Sequence, residues 1–289
     1  MNAVAPENEA QQQYWNEPAG KVWTTWQEHM DRQLEPLGLA AIDAAAPAAG
    51  ENVLDVGCGC GHTTLQIAER VGRESGKATG ADISASMLAR AAERAVATGT
   101  ENARFVVADA QVATAAAVGG PFDAVVSRFG VMFFADPIAA FTNLGALTRP
   151  GGRLSFVCWQ APSQNAWMST LGRELRDILP EQPPVDPLAP GPFAFADPAR
   201  VRLVVESGGW ANVSVDPCVR TMQLFGTDDF VTAVEGSLLI GGAARLLAGA
   251  TEDQRTQAHA IAERVMRSFW SDGGALSDGA CWLVTAKRP

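Results

Sequence analysis

Tyrosine is almost missing from this 289-residue chain, with Tyr14 its single example, and histidine is nearly as scarce: His29, His62 and His259. Any imidazole general base therefore has three candidates. Basic residues are in short supply as well, 22 Lys and Arg against 32 Asp and Glu, for a formal charge of −10. Nucleic-acid binding depends on cationic side chains neutralising phosphates, so this balance disfavours a polyanionic partner and favours a small molecule. The five cysteines, Cys58, Cys60, Cys158, Cys218 and Cys281, are odd in number and scattered, which suits reduced thiols and not a disulfide framework. Cys58 and Cys60 lie in a glycine turn with no His/Cys cluster nearby in sequence, so no metal is expected. Long apolar runs are also lacking. The most apolar helical stretch, 237–250, contains Arg245 and several glycines and is too short to span a bilayer. The opening MNAVAPENEAQQQ has neither the basic segment nor the apolar core of a signal peptide. A cytoplasmic chain with no membrane partner is the expectation. At 47% hydrophobic and 19% charged residues, the composition is that of a globular protein forming one large domain or a domain plus a lid.

What is present is organised around Val53 to Thr64, VLDVGCGCGHTT. An apolar strand interrupted by Asp55 breaks into Gly57, Gly59 and Gly61 and then into a helical pattern. Alternate glycines let backbone N–H groups approach a ligand closely, and the helix that follows directs its positive end at an anionic group, so a nucleotide-like ligand is expected. Dinucleotide-binding folds use a similar turn, but their fingerprint needs a small residue at the sixth position, which here is His62. The strand KATGADI ends in Asp82, suited to accept hydrogen bonds from ribose hydroxyls, and FVVADAQ ends in Asp109 and Ala110. Acids thus fall at the carboxyl ends of successive strands, where open α/β sheets bind ligands.

The ordered set LDVGCGCG, GADIS, VVADA, FDAVVSRFGVMFF and RPGGRLSF resembles the class I S-adenosylmethionine-dependent methyltransferases, in particular the group that includes the ubiquinone and menaquinone biosynthesis methyltransferases. The resemblance covers 51–159. It implies S-adenosylmethionine as cofactor, with Asp55, Gly57, Gly59 and Gly61 around its methionyl end and Asp82 on the ribose. It further implies Ile83 and Met87 flanking adenine and Asp109 with Ala110 at the adenine edge; Ser127, Arg128 and Phe129, after the fourth strand, are expected to edge the cofactor.

The alternation of strands and helices predicts an α/β fold: a Rossmann-like, doubly wound, seven-stranded, mostly parallel sheet with its last strand antiparallel, plus a helical lid. The expected organisation is N-terminal helices (1–46), an α/β core (47–159), a lid insertion (160–196), a helix and sixth strand (197–226), a helical insertion (227–279) and a last strand (280–289). Residues 1 to about 9 read as disordered, before a polar helix to about Asn16 carrying Tyr14 and Trp15. Pro18 suits a helix start; Val22, Trp23, Trp26, Met30 and Leu34 form an apolar stripe; and Pro36 reads as the start of a separate helix over 37–46. Two readings of the N-terminal aromatics stand: core packing, or cover for cofactor and acceptor. The proline-dense QPPVDPLAPGPFAF is read as part of the lid, and the insertion after it as two helices, 228–247 and 252–270.

Methyl transfer from a sulfonium needs alignment and water exclusion, with a general base only where the acceptor arrives protonated. His259 and His29 are the candidate bases; His62, in the turn, reads as an ordering residue. After the fourth strand stands Ser127-Arg128-Phe129-Gly130, where amino-group methyltransferases acting on nucleic acid bases carry an Asn/Asp-Pro-Pro-aromatic motif. Arg128 reads either as a contact to an anionic or carbonyl group of the acceptor or as an ion pair to a structural acid. Tyr14, Trp15, Arg128 and Phe129 are the candidate acceptor residues. The expected activity is methyl transfer to O, N or C of a small apolar or aromatic metabolite; an NAD-dependent oxidoreductase and a non-catalytic S-adenosylmethionine-binding protein are the alternatives.

Overall fold

The computed structural model describes residues 4–17, 19–180 and 186–289. The expected helix start at Pro18 and part of the proline-dense segment, 181–185, lie outside the described residues, as do residues 1–3. A 3-10 turn, Pro6–Asn8, precedes α1 (Glu9–Asn16), α2 (Ala19–Thr25) and α3 (Gln27–Ala45). The core then alternates β1 (Asn52–Val56), α4 (His62–Val71), β2 (Lys77–Asp82), α5 (Ala85–Thr98) and β3 (Ala103–Val107). It continues with α6 (Ala115–Val118), β4 (Phe122–Arg128), α7 (Pro137–Leu147) and β5 (Thr148–Trp159). After α8 (Ala166–Leu175) and α9 (Pro198–Ser207) comes β6 (Ala211–Gln223). The helices α10 (Phe230–Leu239), α11 (Gly242–Leu246) and α12 (Glu252–Phe269) and the two-residue β7 (Trp270–Ser271) then lead into β8 (Gly274–Lys287).

The sheet runs β3-β2-β1-β4-β5-β8-β6, with β7 paired to β8 outside that path. β1 to β5 are mutually parallel, and β8 is antiparallel to both β5 and β6. Seven strands with the last one reversed is the expected sheet. In β1, Val53, Leu54, Asp55 and Val56 are all buried. Side chains alternate between faces, so burial of four in a row shows the sheet covered on both sides. Strand order reverses between β1 and β4, which opens a crevice at their carboxyl ends. Helix starts follow side-chain capping: Ser84, Asp136, Asp197 and Asp229 each accept from a backbone N–H one turn in, and Thr251 with Gln254 forms a capping box.

Several expectations are corrected. Residues 4–8 are ordered, with Ala5 and Asn8 buried, because their polar groups meet a buried carboxylate of the core. Pro36 starts nothing; it lies inside α3, whose flanking Leu34, Leu37 and Ala41 are buried in the core and hold the helix together despite the missing N–H. The expected helix over 228–247 is two helices, since Gly241 takes φ +77 and ends the first. The last strand begins at Gly274, because β8 has a long partner in β6 that pairs it back to Leu276.

β5 leads to α8, β6 leads to α10, and α12 feeds the start of β8, so all these helices join the sheet at the carboxyl ends of the parallel strands. They also contact one another, α8 with α11 and α12, and α10 with α12.

Candidate active site

Asp55 on β1, Asp82 ending β2 and Asp109 just beyond β3 stand at the carboxyl ends of three adjacent parallel strands. All three are buried. The turn from β1 to α4 holds Gly57, Gly59 and Gly61 at φ +66, +53 and +80. Glycine is required at two of them by contact as well as conformation: a Cβ at Gly57 would stand 2.7 Å from Gly130 Cα, and one at Gly61 would stand 2.8 Å from Ala91 Cβ. Asp82 fixes this turn by accepting from the Gly59 N–H at 2.8 Å on Oδ2 and from the Ser84 N–H at 2.8 Å on Oδ1. Burial raises its pKa, against those backbone N–H groups. Each oxygen keeps further acceptor capacity.

Asp55 accepts the Thr64 hydroxyl on Oδ2 at 2.7 Å, while its buried Oδ1 has no hydrogen-bond partner among the described residues. Burial pushes its pKa up to about 6, opposed by Thr64 and by the positive charge of Arg128. A fully buried carboxylate with one unused oxygen is unfavourable in isolation and suits a cationic ligand.

Beside the turn, Asp31 of α3 collects Arg94 Nη2 at 2.9 Å, Arg128 Nη2 at 3.5 Å and Gln27 Nε2 at 2.5 Å. Arg94 also donates to the Cys60 carbonyl at 2.6 Å, which ties α5 to the glycine turn. His62 lies 3.5 Å from Asp31 and 3.4 Å from Glu35. Burial, helped by the two guanidiniums, lowers its pKa against the pull of Asp31 and Glu35, so the ring is held toward the neutral form. These contacts link the start of α4 to α3.

The N-terminal segment closes over this frame. Ala5 N–H and Asn8 Nδ2 both donate to Asp109 Oδ2, at 3.0 and 2.9 Å, and the Gln111 N–H donates to Oδ1 at 2.9 Å. Asn8 Oδ1 accepts from Ala135 N–H at 3.0 Å. Asn16 donates to the Ile83 carbonyl and accepts from Ala85 N–H, while Ser84 Oγ donates to the Trp15 carbonyl. Met87 is buried beside the turn, where a Cβ at Gly59 would touch its sulfur at 3.8 Å, and Ala110 is buried with its carbonyl bound by Asn143.

Two groups of rings follow from the N-terminal helices and the ends of β4 and β5. Trp15 meets Phe133 edge to face at 5.1 Å, Trp23 at 6.1 Å and Tyr14 at 5.2 Å. Phe129, at φ +62, stacks on Trp159 at 4.0 Å, and Trp159 meets Trp167 at 5.6 Å. Tyr14 is the outermost of these, 36% exposed. Ser127 spends its hydroxyl internally, donating to the Val56 carbonyl and accepting from Gly130 N–H, and so locks β4 to β1. The two remaining histidines lie apart. His259 sits between Glu235 and Glu263 on the α10–α12 pair, at 3.3 and 3.5 Å, and is about half exposed. His29 packs against Trp26 at 5.1 Å, with Nδ1 buried and no partner for it among the described residues.

The sequence reading passed over Asn8, Asp31 and Arg94. Asp31 carried one usable signal, an acid directly after Met30 of the apolar stripe; Asn8 carried none, since its partners are a hundred residues away.

Residues 53–152 match the family model described as a methyltransferase domain. The aklanonic acid methyltransferase DauC of Streptomyces sp. (strain C5) is 34% identical over 122 residues, 42% of this chain and 54% of that one. A ubiquinone biosynthesis O-methyltransferase of Albidiferax ferrireducens is 30% identical over 149 residues, 51% of this chain and 57% of its own. The chain thus spans little more than half the length of these relatives. The solved structure of the cyclase SpnF superposes with a TM-score of 0.56 at 16% identity, covering 100% of this chain and 99% of that one. That likeness is one of fold.

Proposed function

We propose, from the premise that residues 53–152 form a class I S-adenosylmethionine-dependent methyltransferase domain, that this protein binds S-adenosylmethionine and methylates O, N or C of a small apolar or aromatic molecule. The observation that carries the reading is the row Asp55, Asp82 and Asp109 at the ends of adjacent strands, with the glycine turn against the first two. The residues fit the cofactor: Asp55 offers a buried unused oxygen, Asp82 retains acceptor capacity toward ribose hydroxyls, and Ile83, Met87, Asp109 and Ala110 border the adenine position. When bound, S-adenosylmethionine supplies a methyl group already activated by its sulfonium.

The protein's own part is to orient and to exclude water. Ser127 and Gly130 hold the end of β4 against β1 and so fix where Arg128 and Phe129 begin. The N-terminal segment acts as a lid: Asn8 fastens it to Asp109, and Trp15 with Phe133 and Trp23 shields the crevice. The described helices of the two insertions, α8 and α10 to α12, complete the cover. Phe129 stacks on Trp159 and Trp167 meets Trp159 edge to face, a set of rings suited to an aromatic acceptor, and Trp167 Nε1 is a buried donor without a partner among the described residues, available to an acceptor oxygen. Among candidate bases, His29 has the free buried nitrogen, whereas His259 is flanked by two surface carboxylates.

The alternative is a non-catalytic S-adenosylmethionine-binding protein on the same fold, since a fold by itself does not fix an activity. Incubation with methyl-labelled S-adenosylmethionine and fractionated small-molecule extract, with products identified by mass spectrometry, separates the two. Labelled product supports the methyltransferase. Calorimetric binding of S-adenosylhomocysteine with no label transferred to any fraction supports the alternative, and binding of NAD in its place refutes both.

A further inference from the structure

Away from the crevice, β6 and β8 set two thiols opposite each other. In their antiparallel register Cys218 pairs with Cys281, so the two side chains stand on the same face of the sheet. Directly opposed residues have Cα atoms about 4.5 to 5.5 Å apart, inside the roughly 4.4 to 6.8 Å that a disulfide spans. Both cysteines are free, and the Cys281 thiol donates to the Cys218 carbonyl at 3.3 Å, within hydrogen-bond reach of the Cys218 sulfur.

The two thiols differ. Cys281 is 0% exposed on β8, which has a strand on either side. Cys218 is 4% exposed, but it lies on β6, the last strand of the sheet, and its neighbours Asp216, Pro217, Val219 and Arg220 are exposed. The hydrogen bond from Cys281 lowers the Cys218 pKa against burial, helped by the Arg220 charge, and the same bond together with burial raises that of Cys281. Burial pushes the other three thiols, Cys58, Cys60 and Cys158, upward. Position matters as well. The chain leaves the sheet after β6, forms α10, α11 and α12, and returns in β8, so a bond between Cys218 and Cys281 would close a loop around all three helices. The same stretch of β8 seats α8, since Ala280 exchanges two hydrogen bonds with the Asn165 side chain and the Cys281 carbonyl accepts from Gln160.

We propose that Cys218 and Cys281 form a reversible dithiol–disulfide site, oxidised by a hydroperoxide, that staples the two strands carrying the helical insertion. Cys218 is the attacking thiolate and Cys281 the resolving thiol. The Cys218 sulfur attacks one peroxide oxygen and the O–O bond breaks, leaving a sulfenic acid; the displaced hydroxide takes up the proton Cys218 had released and departs as water. The Cys281 sulfur then attacks the sulfenic sulfur, the S–S bond forms as the S–O bond breaks, and the Cys281 proton leaves with that oxygen as a second water. Two thiols are oxidised to one disulfide and hydrogen peroxide is reduced to two waters. A dithiol reductant, itself oxidised to a disulfide, reverses the bond.

The test treats the folded full chain with hydrogen peroxide, alkylates the remaining thiols and maps the unreduced digest by mass spectrometry. One linkage, Cys218 to Cys281, should appear, dithiothreitol should remove it, and Cys58, Cys60 and Cys158 should be recovered alkylated. With dimedone present, Cys281→Ser should carry a sulfenic-acid adduct on Cys218, while Cys218→Ser should leave Cys281 unoxidised. Linked wild type should melt on the order of 5 °C above the reduced protein, because the bond restricts a long loop of the unfolded chain, and Cys281→Ser should show no such shift. Recovery of all five thiols alkylated overturns the proposal, as does a linkage through Cys58, Cys60 or Cys158, or one formed only after unfolding in urea. A linked protein that melts below the reduced one overturns the staple. Where a variant shows no melting transition, the wild-type map decides.

Discussion

Around the glycine turn the buried groups are polar and individually held, with Asp82 on Gly59 and Ser84, Asp55 on Thr64, and Asp31 on Arg94, Arg128 and Gln27. Elsewhere at the strand ends the groups are buried or half-buried rings, Trp15 on Phe133, Phe129 on Trp159 and Trp159 on Trp167. The two materials discriminate differently. A buried polar site rejects any ligand that leaves its atoms unpaired, whereas an apolar ring wall gains from almost any flat surface. On the proposed function, the polar side takes the one invariant molecule and the aromatic side the acceptor.

The most damaging way to break the polar side is Gly57→Val, which forces a branched residue to φ +66 with its Cβ 2.7 Å from Gly130 Cα. Cofactor affinity measured by calorimetry should fall on the order of 100-fold or more. Undiminished binding would show that the turn does not carry the ligand.

Asp55→Asn tests whether polar burial is retained at a cost to stability. The folded-state pKa of Asp55 lies near 6, above its ordinary 3.8, so the folded protein holds the proton more tightly than the unfolded chain. Stability from this group is present below pH 3.8 and is lost as pH rises to about 6, by about 3 kcal/mol in all. The isosteric amide keeps the Thr64 bond without the charge. Without ligand, Asp55→Asn should melt several degrees above wild type at pH 8, with the difference vanishing near pH 4, while its affinity for S-adenosylhomocysteine drops. A variant less stable than wild type at pH 8 would contradict the assigned direction.

The aromatic side is tested by deleting residues 1–18, which removes Asn8, Tyr14 and Trp15 together. A lid predicts that the sheet still melts cooperatively while turnover falls roughly 10-fold or more, because closure sets the reacting geometry. Core packing predicts a lowered melting temperature with activity tracking the folded fraction. Asn8→Ala sharpens this, since it removes only the bonds to Asp109, Gln111 and Ala135. It should lower turnover less than the deletion does. Full turnover from the folded truncation would refute the lid.

The smallest effect is expected from His259→Gln. Its ion pairs to Glu235 and Glu263 are about half exposed, so melting should change by less than about 1 kcal/mol. Turnover should be preserved, and a fall of 100-fold would identify His259 as the base.

Local signals set most of what was legible beforehand. The glycine spacing and the strand-end acids at 55, 82 and 109 act within a few residues of themselves, so the α/β order and the crevice at the strand ends could be read directly. Pro36 misled because its local preference was overridden by the packing of Leu34, Leu37 and Ala41 in the core. Asn8 could not be found at all: its partners Asp109, Gln111 and Ala135 are separated from it by more than a hundred residues, and a short polar segment gains order only from them. The same holds for Arg128 Nη1 and Asp55 Oδ1, both buried without a hydrogen-bond partner among the described residues. Sequence alone determined that both residues exist at strand ends. Which of their atoms are satisfied, and therefore what they can still bind, was decided by α3 lowering Asp31 onto Arg128 and by Thr64 turning back to Asp55, since hydrogen-bond saturation depends on every neighbour in space and not on the neighbours in the chain.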